Sequence, residues 1–170
     1  MKKILVLTAV IGLCLASSST AQLRSGAVGL GASFAGSSPM AHVEIAASNN
    51  LGIMLMLGYS STSVDYPEPA TDPDATSTMS VGALGRYFLR NGDVSPYLGL
   101  EVMYMTPGED DKTISFSLLF GGQAEITKNV GIFSHVGFGM DMRTVTVADK
   151  DTKTTTMGIG TAAVGAIFYF

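Results

Sequence analysis

The amino-acid sequence predicts an all-β fold, and more specifically an eight-stranded antiparallel up-and-down transmembrane β-barrel. The clearest pattern runs from Thr113 to Val147, where apolar side chains alternate with small or polar ones around a turn at Thr127–Asn129. A period of two over so many residues indicates long strands, because successive side chains of a strand point to opposite faces. Strands of soluble proteins are usually only about 5–6 residues long. Composition and the order of the connections support the same prediction.

The composition favours a membrane-embedded barrel. Of the 170 residues, 46% are hydrophobic and 14% are charged, whereas charged residues usually make up about 25% of a soluble domain. Beyond the N-terminus, no apolar run reaches the roughly 18 residues that a transmembrane helix needs. The 20 glycines are scattered through the predicted strands, and a single domain over residues 22–170 is expected. The net charge of −4 and the lack of a basic patch exclude nucleic acid as a partner.

Residues 1–21 have the features of a cleaved secretory signal peptide. Two lysines supply the positive region, Ile4–Leu15 the apolar core, and Ser19–Ala21 a small-residue cleavage site. The apolar core is too short for a membrane anchor. The single cysteine, Cys14, is expected to leave with this segment, so the mature chain would have no disulfide and no thiol chemistry.

The first four predicted strands each carry apolar side chains on one face, which we assign to the outside of the barrel. Gly26–Phe34 alternates apolar residues with glycine and serine, and Met40–Ala47 alternates them with polar residues. Asn49-Asn50 forms a tight turn, since asparagine tolerates a positive φ, and Leu51–Val64 follows as the third strand. Thr78–Leu89 resumes the alternation after a long interruption. The side chains between the apolar ones are expected to face the lumen.

The last four strands complete an even number. Asn91-Gly92 is a strong hairpin signal and leads to the fifth strand, Tyr97–Met105. Thr113–Ile126 and Val130–Arg143 form the long hairpin described above. The eighth strand, Thr154–Phe170, is apolar or small on both faces, so the sequence leaves its orientation open. An even strand count places both chain ends on the periplasmic side, and a closed barrel has no open edge.

Short and long connections alternate along the chain, as expected for a barrel with short periplasmic turns and longer outer loops. The short connections are Asn49-Asn50, Arg90–Asp93 and Thr127–Asn129, and the longer, acidic ones are Asp65–Ser77, Pro107–Lys112 and Ala148–Lys153. Gly36–Pro39 is shorter than its place would suggest. The Asp65–Ser77 loop is rich in proline and aspartate, and we expect it to be the most exposed and mobile segment, outside the cell.

Three features make the chain resemble the small outer-membrane β-barrel domain family of Gram-negative bacteria, whose members have eight strands. They are the signal peptide, the hairpin Gly85-Arg86-Tyr87-Phe88 … Ser95-Pro96-Tyr97-Leu98-Gly99-Leu100, and the ending Ala166-Ile167-Phe168-Tyr169-Phe170. The resemblance implies a location in the cell outer membrane, contact with lipid and lipopolysaccharide, and recognition of Phe168 and Phe170 by the barrel-assembly machinery. The chain departs from the family in having no tryptophan and mostly trimmed loops, so any aromatic girdle must come from tyrosine and phenylalanine.

The inward face carries the polar residues that are candidates for function. An eight-stranded barrel is only wide enough for side chains to fill, and an unpaired buried charge costs roughly several kcal/mol. We therefore interpret these residues as a polar plug in which charges pair. Arg86 and Glu101 face inward on adjacent strands and are predicted to be partners. The set comprises His42, Glu44, Arg86, Glu101, Gln123, Glu125, His135, Asp141 and Arg143.

The sequence indicates no catalytic, cofactor or metal site. Ser134 and His135 are neighbours on a strand and point to opposite faces, so they do not form a catalytic pair. His42 and Glu44 share a face, but a metal site needs further ligands that the sequence does not place nearby. Gly29-Leu30-Gly31 lacks the third glycine and the helix of a dinucleotide motif. Binding of divalent cations by the acidic loops is a further hypothesis, although none of these loops has EF-hand spacing.

These observations predict a non-enzymatic barrel with a structural or surface-interaction role. The alternative is a narrow channel or transporter for small or hydrophobic molecules, and a second, disfavoured alternative is an outer-membrane lipid-modifying enzyme. Large inward side chains leave little room for a water-filled channel; they are Met54, Met56, Phe88, Tyr97, Met103 and Phe133. The sequence leaves the physiological ligand, the partner and the oligomeric state open.

Overall fold

The computed structural model of the chain describes residues 24–35, 38–62, 76–90, 92–108, 111–147 and 150–170. The predicted signal peptide and most of the predicted Asp65–Ser77 loop lie outside the described residues. Within the part of the chain that the structure describes, no helix is long and apolar enough to cross a membrane.

Eight antiparallel strands form one closed sheet, which confirms the predicted eight-stranded barrel. Each strand pairs with the next along the chain, and the ring closes where β1 pairs with β8, from Gly29↔Tyr169 to Ala35↔Ala163. The topology is therefore up-and-down. The strands are β1 (Val28–Ala35), β2 (Ser38–Ala46), β3 (Leu51–Thr62), β4 (Thr76–Phe88), β5 (Val94–Thr106), β6 (Asp111–Thr127), β7 (Val130–Val147) and β8 (Lys150–Tyr169).

The alternation in the sequence separates a lumen face from an outer face. On β3, Met54 is 1% exposed while its neighbour Leu55 is 56% exposed. The same holds at the end of β8, whose orientation the sequence left open: Ile167 and Tyr169 are buried in the lumen, and Phe168 between them is exposed. The pleat of a strand enforces this division, because a shift of one residue would turn the apolar side chains inward.

Several strands extend further toward the long loops than the sequence predicted. β6 begins at Asp111 and β8 at Lys150, within the predicted Pro107–Lys112 and Ala148–Lys153 loops. The β7–β8 ladder continues to the pair Val147↔Lys150. Threonine favours strands, and the first part of β8 is exposed on both faces, so it lacks the apolar alternation on which the prediction rested.

The two ends of the barrel differ. At the end with the short connections, which we call the short-turn end, asparagine side chains tie the turns to neighbouring strands. Asn50 Nδ2 donates a hydrogen bond to the Phe88 carbonyl oxygen over 3.1 Å, and Asn129 Nδ2 donates to the Tyr169 carbonyl oxygen over 2.7 Å. At the opposite, loop end the wall is uneven, because β1 has 8 residues and β8 has 20.

Candidate functional site

An ion pair between Arg86 and Glu44 lies in the barrel lumen, and both side chains are fully buried. Arg86 Nε donates a hydrogen bond to Glu44 Oε1 over 3.0 Å, and Arg86 Nη2 donates to Glu44 Oε2. The planar guanidinium thus meets the carboxylate with two parallel bonds. Each buried charge therefore has an opposite charge beside it, which offsets the free-energy cost of removing it from water.

Tyr169 and Gln123 extend this pair into a network. The Tyr169 hydroxyl donates to Glu44 Oε2 over 2.7 Å, and Gln123 Nε2 donates to the Tyr169 hydroxyl oxygen over 3.2 Å. The four side chains come from β2, β4, β6 and β8, so the network joins four strands across the lumen. Tyr169 was not among the predicted lumen residues, because the sequence pattern left the orientation of the eighth strand open.

Aromatic rings surround the guanidinium of Arg86. The ring centroids of Phe88, Tyr97 and Phe133 lie 5.2, 5.1 and 5.1 Å from Arg86 Cζ. Arg86 Nη1 is buried without a hydrogen-bond partner among the described residues, and the negative faces of nearby rings attract such a cation. We call these three aromatic residues, together with Arg86, Glu44, Tyr169 and Gln123, the Arg86 cluster.

The predicted partner of Arg86 is wrong, because the ion pair is made with Glu44 and not with Glu101. On β5, Glu101 lies opposite Leu84 rather than opposite Arg86. On β3, the residue opposite Arg86 is Gly52, and the Glu44 carboxylate occupies the space above this glycine. The long arginine side chain therefore reaches past β3 to β2, a contact between strands that are not adjacent in the sheet.

The other members of the predicted polar set are divided between the lumen and its ends. Four are buried in the lumen, namely His42, Glu101, Gln123 and His135. Glu125 is half-buried near the short-turn end. Asp141 and Arg143 are exposed, and Arg143 Nε donates to Asp111 Oδ1 over 2.9 Å. Alternation alone assigned all of them inward, but β6 and β7 extend beyond the shorter strands, where the inward face meets water.

The loop-side half of the lumen contains a cavity of about 340 Å³. The expectation that side chains fill the whole interior is therefore not met in this half. The physical reason is the small size of the side chains that β6, β7 and β8 contribute to this wall. They include Ser115, Ser117, Gly139, Gly158, Gly160 and Thr161.

The structure shows the positions of the histidines and the serine that were considered for metal or hydrolytic chemistry. In the described ranges, no three His, Cys, Asp or Glu side chains are grouped so that they would hold a metal ion, and the carboxylate of Glu44, near His42, is already engaged in the ion pair. Ser134 is exposed while His135 is buried, so the two lie on opposite faces of β7. His135 Nδ1 instead lies 2.9 Å from the Tyr97 hydroxyl.

Among known proteins, the matches to this chain come from solved structures. No protein-family model matches the chain, and no curated protein matches it. Among solved structures, the chain is similar to a major outer membrane protein from Thermus thermophilus, with 16% sequence identity and a TM-score of 0.42. The alignment covers 85% of this chain and 98% of that chain.

Proposed function

We propose that the chain is an outer-membrane β-barrel protein with a non-enzymatic, structural or surface-interaction role. The observation that carries this proposal is the outer face, where large apolar side chains are exposed on all eight strands. Leu55, Leu100 and Phe120 are exposed at 56%, 69% and 58%. Soluble monomers rarely expose contiguous apolar patches larger than about a few hundred Å². In a membrane, lipid tails cover such a belt, so its apolar side chains are not exposed to water.

Strand length and tyrosine placement agree with a membrane-spanning barrel. A tilted transmembrane strand needs about 9–11 residues, and β3 and β5 have 12 and 13. Tyr59 and Tyr104 are exposed near the loop end and Tyr87 near the short-turn end. Tyrosines at both edges of an apolar belt are typical of the two membrane interfaces.

The Arg86 cluster supports a lumen that is closed to water and ions. Its members come from both sides of the barrel and fill the space between them with an ion pair and three aromatic rings. An eight-stranded barrel has little interior to spare. A passage through the lumen would require this cluster to separate, which would leave two opposite charges buried without partners.

A narrow channel or transporter is the second candidate, and the cavity in the loop-side half favours it. With about 340 Å³, this space is large enough for a small molecule. A transport route would also need an exit through the Arg86 cluster or through the wall. The barrel with a closed lumen is therefore the first choice.

Cell fractionation tests the location, and gel mobility tests the barrel. We expect the full chain, expressed in a Gram-negative host, to be recovered with the outer membrane. Because a closed barrel resists detergent until it is heated, its mobility in a denaturing gel should change on boiling. Recovery in the soluble periplasmic fraction, or a mobility that boiling leaves unchanged, would contradict the proposal.

A further inference from the structure

The cavity in the loop-side half of the lumen has two chemically different walls. One wall is lined by methionines from β2, β3 and β5, namely Met40, Met54, Met56, Met103 and Met105. Met56 and Met103 approach each other over Gly82, which lies opposite both of them in the sheet. The facing wall, from β6, β7 and β8, is rich in serine, glycine and threonine and also includes Phe133, His135, Asp141, Ile159 and Ala163. Methionine adapts its shape to different apolar ligands, and the small wall leaves room for one.

Three buried polar side chains line this cavity without using their full hydrogen-bonding capacity. Glu101 is 7% exposed and, among the described residues, makes no ion pair. Ser115 Oγ and His135 Nε2 are buried and have no hydrogen-bond partner in the described part of the chain. Buried polar groups are nearly always hydrogen-bonded, and a buried carboxylate needs a cation or several donors. These groups therefore offer hydrogen-bonding positions to a polar group of a ligand in the cavity.

The charges around the cavity favour a cation. Glu101 and Asp141 line it, and no lysine or arginine does so among the described residues. The buried guanidinium of Arg86 is engaged with Glu44. The ring of Phe133, which already contacts the Arg86 guanidinium, adds apolar surface to the cavity.

We propose that this cavity binds a small amphiphilic organic cation, a primary amine with an apolar body. The ammonium group donates hydrogen bonds to the Glu101 carboxylate, and the apolar body lies against the methionines. A cavity of about 340 Å³ is at the lower end of the sizes usual for small-molecule sites, which restricts the ligand to a short chain or a single ring. This binding role goes beyond the proposed structural function and does not depend on the cellular location.

The test uses the full chain refolded in detergent micelles, with isotope-labelled methionine methyl groups observed by NMR. Hexylamine is the probe, and hexanol and hexanoate are its neutral and anionic counterparts. We expect hexylamine to shift the resonances of Met54, Met56 and Met103, and to bind at least about tenfold more tightly than hexanol, because hexanol gives the Glu101 carboxylate no positive charge. Met79, on the outer face and 56% exposed, reports partitioning of the amine into the micelle.

The variant Glu101→Gln keeps the shape of the side chain and removes its charge. It should weaken hexylamine binding by at least about tenfold and leave hexanol binding unchanged. Asp93→Asn, at the exposed short-turn end, is the matched control and should bind hexylamine as the wild type does. If Glu101→Gln does not refold, the comparison of the three probes on the wild type still decides the question. Equal affinity for hexylamine and hexanol, shifts confined to Met79, or no shift at all would overturn the proposal.

Discussion

At the scale of single residues, the main feature of the barrel is a pair of opposite charges that are buried together in the lumen. The side chains of Arg86 and Glu44 are fully buried in the lumen, and burying either charge alone would be costly. The bidentate bond between them, the Tyr169 hydroxyl and the surrounding rings compensate both charges. Glu101 lies on β5, two residues from Gly99, which is opposite Arg86. It has no charged partner in the described structure.

The first prediction concerns the coupling between Arg86 and Glu44. Arg86→Ala and Glu44→Ala should each lower the free energy of unfolding by about 3–5 kcal/mol, because each leaves an uncompensated charge in the lumen. The double variant should cost much less than the two losses combined, since it removes both charges. Urea unfolding in micelles, followed by gel mobility, measures these values.

Two controls make this cycle specific. Arg90→Ala removes an exposed charge and should change stability by less than about 0.5 kcal/mol. A second cycle with Arg86→Ala and Glu101→Gln should show little coupling. Strong coupling in the second cycle and none in the first would mean that Arg86 pairs with Glu101 and not with Glu44.

At the scale of the strand, alternation determines where a side chain is tolerated. Gly121 and Gly122 are neighbours on β6 and lie on opposite faces. A Cβ at Gly121 would lie 2.7 Å from Tyr97 Cζ and 2.7 Å from His135 Cβ, whereas at Gly122 the nearest neighbour, Val94 Cγ1, is 3.9 Å away. Position 121 therefore has no room for a methyl group, whereas position 122 does have room for one.

The second prediction follows from this pair of glycines. Gly121→Ala should destabilise the barrel by about 1–3 kcal/mol, the usual cost of overpacking. Gly122→Ala should be neutral or stabilise by up to about 1 kcal/mol, because alanine restricts the unfolded chain. Urea unfolding of both variants and the wild type under the same conditions measures these changes in the free energy of unfolding. Similar losses in both would mean that the two faces of β6 are not distinguished in this way.

The strands and their faces were predictable from the sequence because a period of two is a local property. The start of β8 was missed, because water on both faces removes the apolar alternation there while the ladder of hydrogen bonds continues. The partner of Arg86 was not predictable, because it depends on Gly52 leaving space for a contact between strands two apart. The cavity was missed because its size depends on the sum of small side chains from three strands.

At the scale of the whole molecule, the barrel is closed at one end and hollow at the other. The Arg86 cluster and the turns tied by asparagine lie toward the short-turn end. The cavity lies toward the loop end, where the wall is uneven. This arrangement agrees with our two proposals, a barrel anchored in lipid and a cavity that accepts a small ligand from the loop end.

Planar-bilayer recording on the refolded full chain tests this closed lumen most directly. Flotation with lipid vesicles and the change of gel mobility on boiling first establish that the protein is inserted as a barrel. We expect the inserted wild type to give no reproducible conductance steps, because the Arg86 cluster closes the lumen toward the short-turn end. The double variant Arg86→Ala/Glu44→Ala, which empties that position, is the control in which steps are expected. Steady, reproducible steps from the wild type would contradict the account.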